Sequence, residues 1–166
     1  VSQSDIDHFR RRCGQFRGLA VFMVVSVGTL LALAGWVRPL ILWRRDGMAF
    51  SGLDVLADTI WNLPAGFYLF AVWSIGRAMG QLSKGRLIQP TLASALRQVG
   101  IALGVGGLAS VFLVVNLLKL VKPGAGGYLH FDVPGMTLGM IGGALFLLGR
   151  VANQASRVQA ELDEMI

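Results

Sequence analysis

Formal charges vanish from the chain four times. None occurs in 18–37, between Arg17 and Arg38, or in 59–76, between Asp58 and Arg77. The same holds for 98–118, between Arg97 and Lys119, and for 133–149, between Asp132 and Arg150. Each run is about 17 to 21 residues long, enough to cross roughly 30 Å of hydrocarbon at about 1.5 Å per residue. Backbone polar groups cannot go unpaired in lipid, so each run is expected to be a helix. One such run would suit the core of a soluble domain; four in 166 residues point to a membrane. The predicted fold is all-α: a single transmembrane domain over 1–166, an integral membrane four-helix bundle with cytoplasmic helix extensions.

The segments between the runs carry their own signals. Arg45-Asp46-Gly47 reads as a turn, and Ser51-Gly52-Leu53-Asp54 resembles a capping box with Asp in place of Glu. A helix is expected to start there and run into the second span. Pro64 should kink or break it, with Asn62 placed to satisfy freed backbone groups. Lys84-Gly85-Arg86 is a turn, Gly85 suiting a helix stop and Pro90 the first turn of the next helix. That third helix is expected from about Pro90 to Leu118, its first two turns, with Leu92, Leu96 and Arg97, projecting from the membrane. Pro123, Gly124, Gly126 and Gly127 mark turns, and Tyr128 to Val133 alternates as a short strand or extended lid would. Beyond Arg150 the helical pattern continues. Val151, Ala155, Val158, Leu162 and Met165 form an apolar stripe, and Arg157 and Glu161 an i, i+4 pair on the wetter side. The stripe packs on the protein's own helix extensions or offers a seam to a soluble partner.

Composition supports the membrane reading: 54% of residues are hydrophobic and 14% charged, where an average soluble domain carries about 25% charge. Intrinsic disorder is excluded by the same figures. The first apolar run, preceded by Arg10, Arg11, Arg12 and Arg17 and holding Ala32-Leu33-Ala34, resembles a signal peptide. It continues to Val37, long enough to span, and is read as a retained helix. Orientation follows from Lys and Arg. Ten of the fifteen fall in the N-terminal segment (Arg10, Arg11, Arg12, Arg17), the second loop (Arg77, Lys84, Arg86, Arg97) and the C-terminal segment (Arg150, Arg157). Five fall on the other side: Arg38, Arg44, Arg45, Lys119 and Lys122. Both termini are therefore expected in the cytoplasm of a bacterial inner membrane, with Trp36, Trp43, Trp61 and Tyr128 as an aromatic belt at the outer interface. A net charge of +6 suits contact with anionic lipid. Basic residues scattered over both sides argue against direct nucleic-acid binding.

Among the 22 glycines, three pairs have the four-residue spacing that lets membrane helices approach closely: Gly76 and Gly80, Gly100 and Gly104, Gly139 and Gly143. Gly106, Gly107 and Gly142 broaden two of these faces. Tight packing between spans three and four is expected, within one chain in preference to a homo-oligomer.

Chemistry is sparse. The four runs hold no Asp, Glu, Lys, Arg or His, the residues that usually mark intramembrane ion or proton paths. His8 and His130 fall on opposite sides and cannot share a metal or haem. Cys13, the single cysteine, has no resolving partner and reads as a small buried or half-buried residue. Ser26, Ser74 and Ser110 are lone hydroxyls suited to helix contacts. No phosphate loop, zinc-protease or dinucleotide fingerprint occurs. No catalytic residue, metal or cofactor is assigned, and the chain is expected not to be an enzyme.

One stretch resembles a known family. A span ending in Phe67-Tyr68-Leu69-Phe70-Ala71-Val72-Trp73, then Leu82, Lys84, Gly85 and Arg86 at a turn, then Leu96, Arg97 and Gly100 opening the next span, is similar to small bacterial four-span inner-membrane proteins of unassigned function. The likeness covers about 67–166, including a last span that continues into an acid-ended amphipathic helix; the long outer segment 38–58 departs from it. Such proteins are often encoded beside a helix-turn-helix repressor of the Xre type. The resemblance therefore implies a non-enzymatic membrane protein that binds and controls a cytoplasmic transcription regulator. Lys84, Gly85, Arg86, Arg97, Val151, Val158 and Leu162 are the candidate partner-binding residues. The alternative is an accessory or assembly subunit of a larger membrane complex, whose mark would be an exposed glycine face on span three or four. Beyond these partners, only membrane lipids are expected.

Overall fold

The computed structural model describes residues 3–37, 41, 44, 52–84, 88–122 and 130–164. Among the described residues the longer helices are α1 (Gln3–Ala32), α2 (Gly52–Ser83), α3 (Ile88–Leu108), α4 (Val114–Val121) and α5 (Val133–Glu164). A π-helical turn, Leu33–Val37, closes α1, and a second, Ala109–Leu113, joins α3 to α4. Among the described residues, four helical stretches are long and apolar enough to cross a membrane: Arg11–Val37, Gly52–Ser83, Thr91–Val121 and Val133–Ala155. The protein is thus an all-α, multi-pass membrane four-helix bundle.

The spans pack in chain order. α1 lies on α2, α2 lies on α3 and α4, and α3 and α5 share the most extensive contact. The third span is consequently the inner one. Buried residues make up 44% of its apolar window, against 11% for the first span and 17% for the second and fourth. Ala71, Val99 and Ala102 form the central cluster, with Ile75, Leu103 and Leu145 packed around it. Small side chains at this seam let the helices close, while large apolar ones such as Phe22, Leu30, Met140 and Leu147 point outward, as suits a lipid solvent.

One end of the bundle gathers Arg17, Arg77, Lys84, Arg97 and Arg150 and is called the basic end below. The other carries Trp36, Trp61 and His130 and is called the aromatic end. α5 runs well past Arg150 at the basic end. Extensions also occur at the aromatic end, where α2 begins at Gly52, seven residues before the charge-free run, and α4 continues to Val121. Lys122 and Asp54 join these two tips in an exposed ion pair. Ser51, the expected cap of α2, and the 45–47 turn lie outside the described residues.

Three expectations need correction. α2 does not break at Pro64; it is helical through to Ser83. The carbonyl that proline leaves without a donor is that of Ile60, four residues back. Asn62 does not supply the missing bond, because its Nδ2 donates to Asp58 O at 2.8 Å. Buried against its neighbours, Pro64 is held by packing.

The described part of the segment before α5, His130 to Asp132, is not in a strand. His130 to Asp132 has no regular structure, and 123–129 lie outside the described residues. Helix capping takes precedence there. Met136 N–H donates to Asp132 O at 2.9 Å, so Asp132 opens α5, and its carboxylate meets the positive end of the helix. Pro134 then sits in the first turn, where its missing N–H leaves nothing unpaired.

The third span is not a uniform α-helix. In the Ala109–Leu113 turn, the N–H of Val114 reaches Ala109 O, five residues back. Val111 O instead accepts a bond from His130 N–H at 3.3 Å. A chain segment at the aromatic end is thereby tied to a carbonyl inside the span, the kind of replacement partner an interrupted helical ladder requires.

Candidate functional site

Most of the glycines singled out by spacing lie at helix contacts, and each touches something different. At Gly76 an added Cβ would sit 2.8 Å from the Ala20 Cβ, and at Gly80 it would sit 2.7 Å from Arg17 Cδ. These two therefore seat α1 on α2. At Gly100 it would sit 2.5 Å from Phe146 N and 2.7 Å from Gly142 O. Gly104 offers its backbone instead: a Cβ on Gly142 would come within 2.4 Å of Gly104 N, whereas one on Gly104 itself meets nothing within 4 Å. Gly139 lies against Gly107, whose own Cβ would fall 2.7 Å from the Gly139 Cα. At Gly143 the space is open. On α5 the seam follows Gly135, Gly139, Gly142, Phe146 and Gly149, steps of four, three, four and three. Gly142 and not Gly143 therefore faces α3.

The basic end divides into two clefts on opposite sides of α2 and α3. Between α1 and α2 lies a cavity of about 360 Å³ lined by Arg17, Trp73, Gly80, Gln81, Arg77 and Lys84, among others. The Arg77 guanidinium lies 5.4 Å from the centre of the Trp73 ring, a cation–π contact. Between α3 and α5 lies a cleft of about 730 Å³ lined by Ser94, Arg97, Gln98, Arg150 and Asn153, among others. Here Gly149 lets α5 approach the backbone of α3, since its Cβ would sit 2.9 Å from Arg97 N. The candidate residues Lys84 and Arg97 thus belong to different clefts. Gly85 and Arg86 lie outside the described residues. Lys84 is an exposed turn residue, and its N–H donates to Gln81 O at 3.2 Å.

Of the stripe on α5, Val151 is 63% and Val158 51% exposed. Ala155, Arg157 and Glu161 are exposed as well. The described part of the stripe is therefore not covered by the chain itself. Leu162 lies within α5, but its side chain and residue 165 fall outside the described set. Cys13 is buried on α1.

A polar cluster sits where the sequence gave no warning. The Tyr68 ring meets Gly106, and its buried hydroxyl faces Ser110 and Asp132 without a hydrogen bond to either. Ser110 Oγ donates to Gly107 O at 3.0 Å. Gly135 leaves room for both Ser110 and Asp132, whose side-chain atoms would be overlapped by any Cβ there. Tyr68 lies in a run free of formal charge and Asp132 just outside another, so neither stood out as an intramembrane polar group. Only the π turn and the extended approach to α5 bring them together. Nearby, Trp61 and His130 meet edge to face at 5.3 Å. Ser74 Oγ is a second buried hydroxyl without a partner. Among the described residues, no three His, Cys, Asp or Glu side chains converge as metal ligands would.

No protein-family model, curated protein or solved structure matches the chain.

Proposed function

We propose that this is a non-enzymatic bacterial inner-membrane protein, with its basic end and both termini in the cytoplasm, that binds and controls a cytoplasmic partner. Following the resemblance described above, the partner is a helix-turn-helix transcription regulator. The observation that carries this reading is the last part of α5. Some 14 residues continue beyond Arg150, about 20 Å of helix, with Val151 and Val158 exposed. An amphipathic helix with an uncovered apolar stripe supplies the spaced anchors by which helices seat in a partner's groove. Arg97 and Arg150 flank its root and favour an acidic rim on the partner.

The test is a pull-down of the neighbouring gene product with wild-type protein and with Val158→Glu/Leu162→Glu. Wild type should retain the soluble partner and the double variant, still folded, should not. No retention by wild type, or undiminished retention by the variant, rejects the proposal. Orientation is checked by alkaline phosphatase fusions, active after residues 47 and 126 and inactive at 86 and the C-terminus.

A second reading, an accessory subunit of a larger membrane complex, draws on the same face of α5 where it continues into the membrane. Met140, Gly143 and Leu147 are all exposed there, and Gly143 has open space above it. Co-purification of other membrane subunits in mild detergent, in place of a soluble protein, would favour it.

A further inference from the structure

We infer that the cavity between α1 and α2 at the basic end is a binding site for the phosphate headgroup of an anionic phospholipid. Three cationic side chains, Arg17, Arg77 and Lys84, line a space of about 360 Å³, and among the described residues that line it there is no carboxylate. Cations drawn together at a membrane interface repel one another and lose solvation. An anion seated among them reverses both effects. Two guanidinium groups offer forked donors that match phosphate oxygens, Lys84 adds a point charge, and the Gln81 amide can donate as well.

The position in the membrane selects the source of the phosphate. Arg17 is the last charge before the first span and Arg77 the first after the charge-free run of the second, so the cavity lies at headgroup depth. One turn toward the hydrocarbon from these residues, Val21 and Trp73 line the same cavity. A ligand with a phosphate at one end and an apolar body at the other fits that polarity. Tryptophan at this level is the usual interfacial anchor, and basic pockets between spans on this side are known to hold acidic headgroups. The packing is arranged for it. Gly80 has no side chain, which lets the Arg17 side chain lie flat across α2, and Trp73 holds the Arg77 guanidinium over its ring.

The experiment uses the full chain in mild detergent, with phosphatidylglycerol or phosphatidylcholine added and bound lipid counted by native mass spectrometry. Wild type should retain phosphatidylglycerol in preference to phosphatidylcholine. Arg17→Gln/Arg77→Gln should weaken that retention by about tenfold or more. Arg97→Gln/Arg150→Gln, in the other cleft, should leave it within about twofold, since distant exposed charges couple weakly. Where the double variant does not fold, Arg77→Lys and Lys84→Gln replace it, each expected to lose about threefold or more. Equal retention of the two lipids overturns the proposal. So does wild-type retention by the folded cavity variants, or an equal loss in the Arg97/Arg150 control. Complete displacement by excess inorganic phosphate would mark a site for free anions and reject the lipid as its occupant.

Discussion

The two outer contacts of the bundle are built on different rules. Where α3 meets α5, glycine lies on both partners, at Gly100, Gly104 and Gly107 on one and Gly135, Gly139, Gly142 and Gly149 on the other. Backbone faces backbone over the length of the seam. Where α1 meets α2, glycine contacts are few: Gly76 and Gly80 at the basic end, and Gly28, whose Cβ would only just reach Leu69. There the facing groups are side chains. In the first contact the glycines set main chain on main chain, and its cleft of about 730 Å³ lies at the basic end, alongside Arg97 and Arg150. The second leaves cavities at both ends, one lined by Arg17 and Arg77 and another by Gly35 and Asn62. In lipid, where no hydrophobic force draws helices together, intimacy depends on how close backbones come. Gly107 and Gly142 bring two backbones together, whereas Gly76 and Gly80 admit side chains of α1 and leave a smaller, cation-lined cavity beside them.

The sharpest way to break this comparison is a methyl group on each side of one α5 residue pair. Gly142→Ala places its Cβ 2.4 Å from Gly104 N, and main chain cannot rotate away. A loss of about 2–3 kcal/mol is expected in reversible unfolding in mixed detergent. Gly143→Ala meets open space and should be neutral or up to about 1 kcal/mol stabilising, through helix propensity. Equal effects at the two positions would mean that the seam is misregistered. A smaller effect is expected at the other contact. Gly76→Ala presses on the Ala20 methyl at 2.8 Å, and α1 can shift slightly, so about 1 kcal/mol should be lost. A loss as large as that of Gly142→Ala would put the two contacts in one class. The smallest effect belongs to the aromatic end. Lys122→Ala removes an ion pair whose side chains are 47% and 59% exposed, worth about 0.5 kcal/mol, and raised salt should erase the difference from wild type.

Much of this was legible before the structure. Hydrocarbon thickness dictates the length of a charge-free run, so the spans followed from where Arg17, Asp58, Arg97 and Asp132 stand. The start of α2 near Ser51 and the length of the third helix followed from capping and proline rules. Helix phase was harder. Four-residue spacing pairs Gly139 with Gly143, but the seam steps from Gly139 to Gly142, because two helices in long contact follow alternating steps of three and four. Pro64 does not end the helix, because packing holds a proline within a span where an isolated helix would break. The Tyr68, Ser110 and Asp132 cluster could not be read at all. It depends on a change of helical pitch at Ala109–Leu113 that no residue type announces. Of the candidate partner-binding residues, the sequence grouped Lys84 with Arg97 because both flank one turn, yet the packing order sends them to separate clefts.

The Ala109–Leu113 turn also works as a phase shifter. A residue inserted into an α-helix turns everything beyond it by about 100°, and a π turn absorbs such an insertion in one place without disturbing what precedes it. Below it, the glycines of α3 keep their bearing on α5. Above it, α4 is dialled round so that Val114 and Val115 are buried and Lys122 reaches Asp54. Deleting one residue from the turn should return it to α pitch and leave Lys122 facing Asp54, whereas winding the same five residues at α pitch would turn α4 by about 100° and part the pair. The extra residue thus decides which side chains of α4 face the bundle, and the pitch of one turn takes it up.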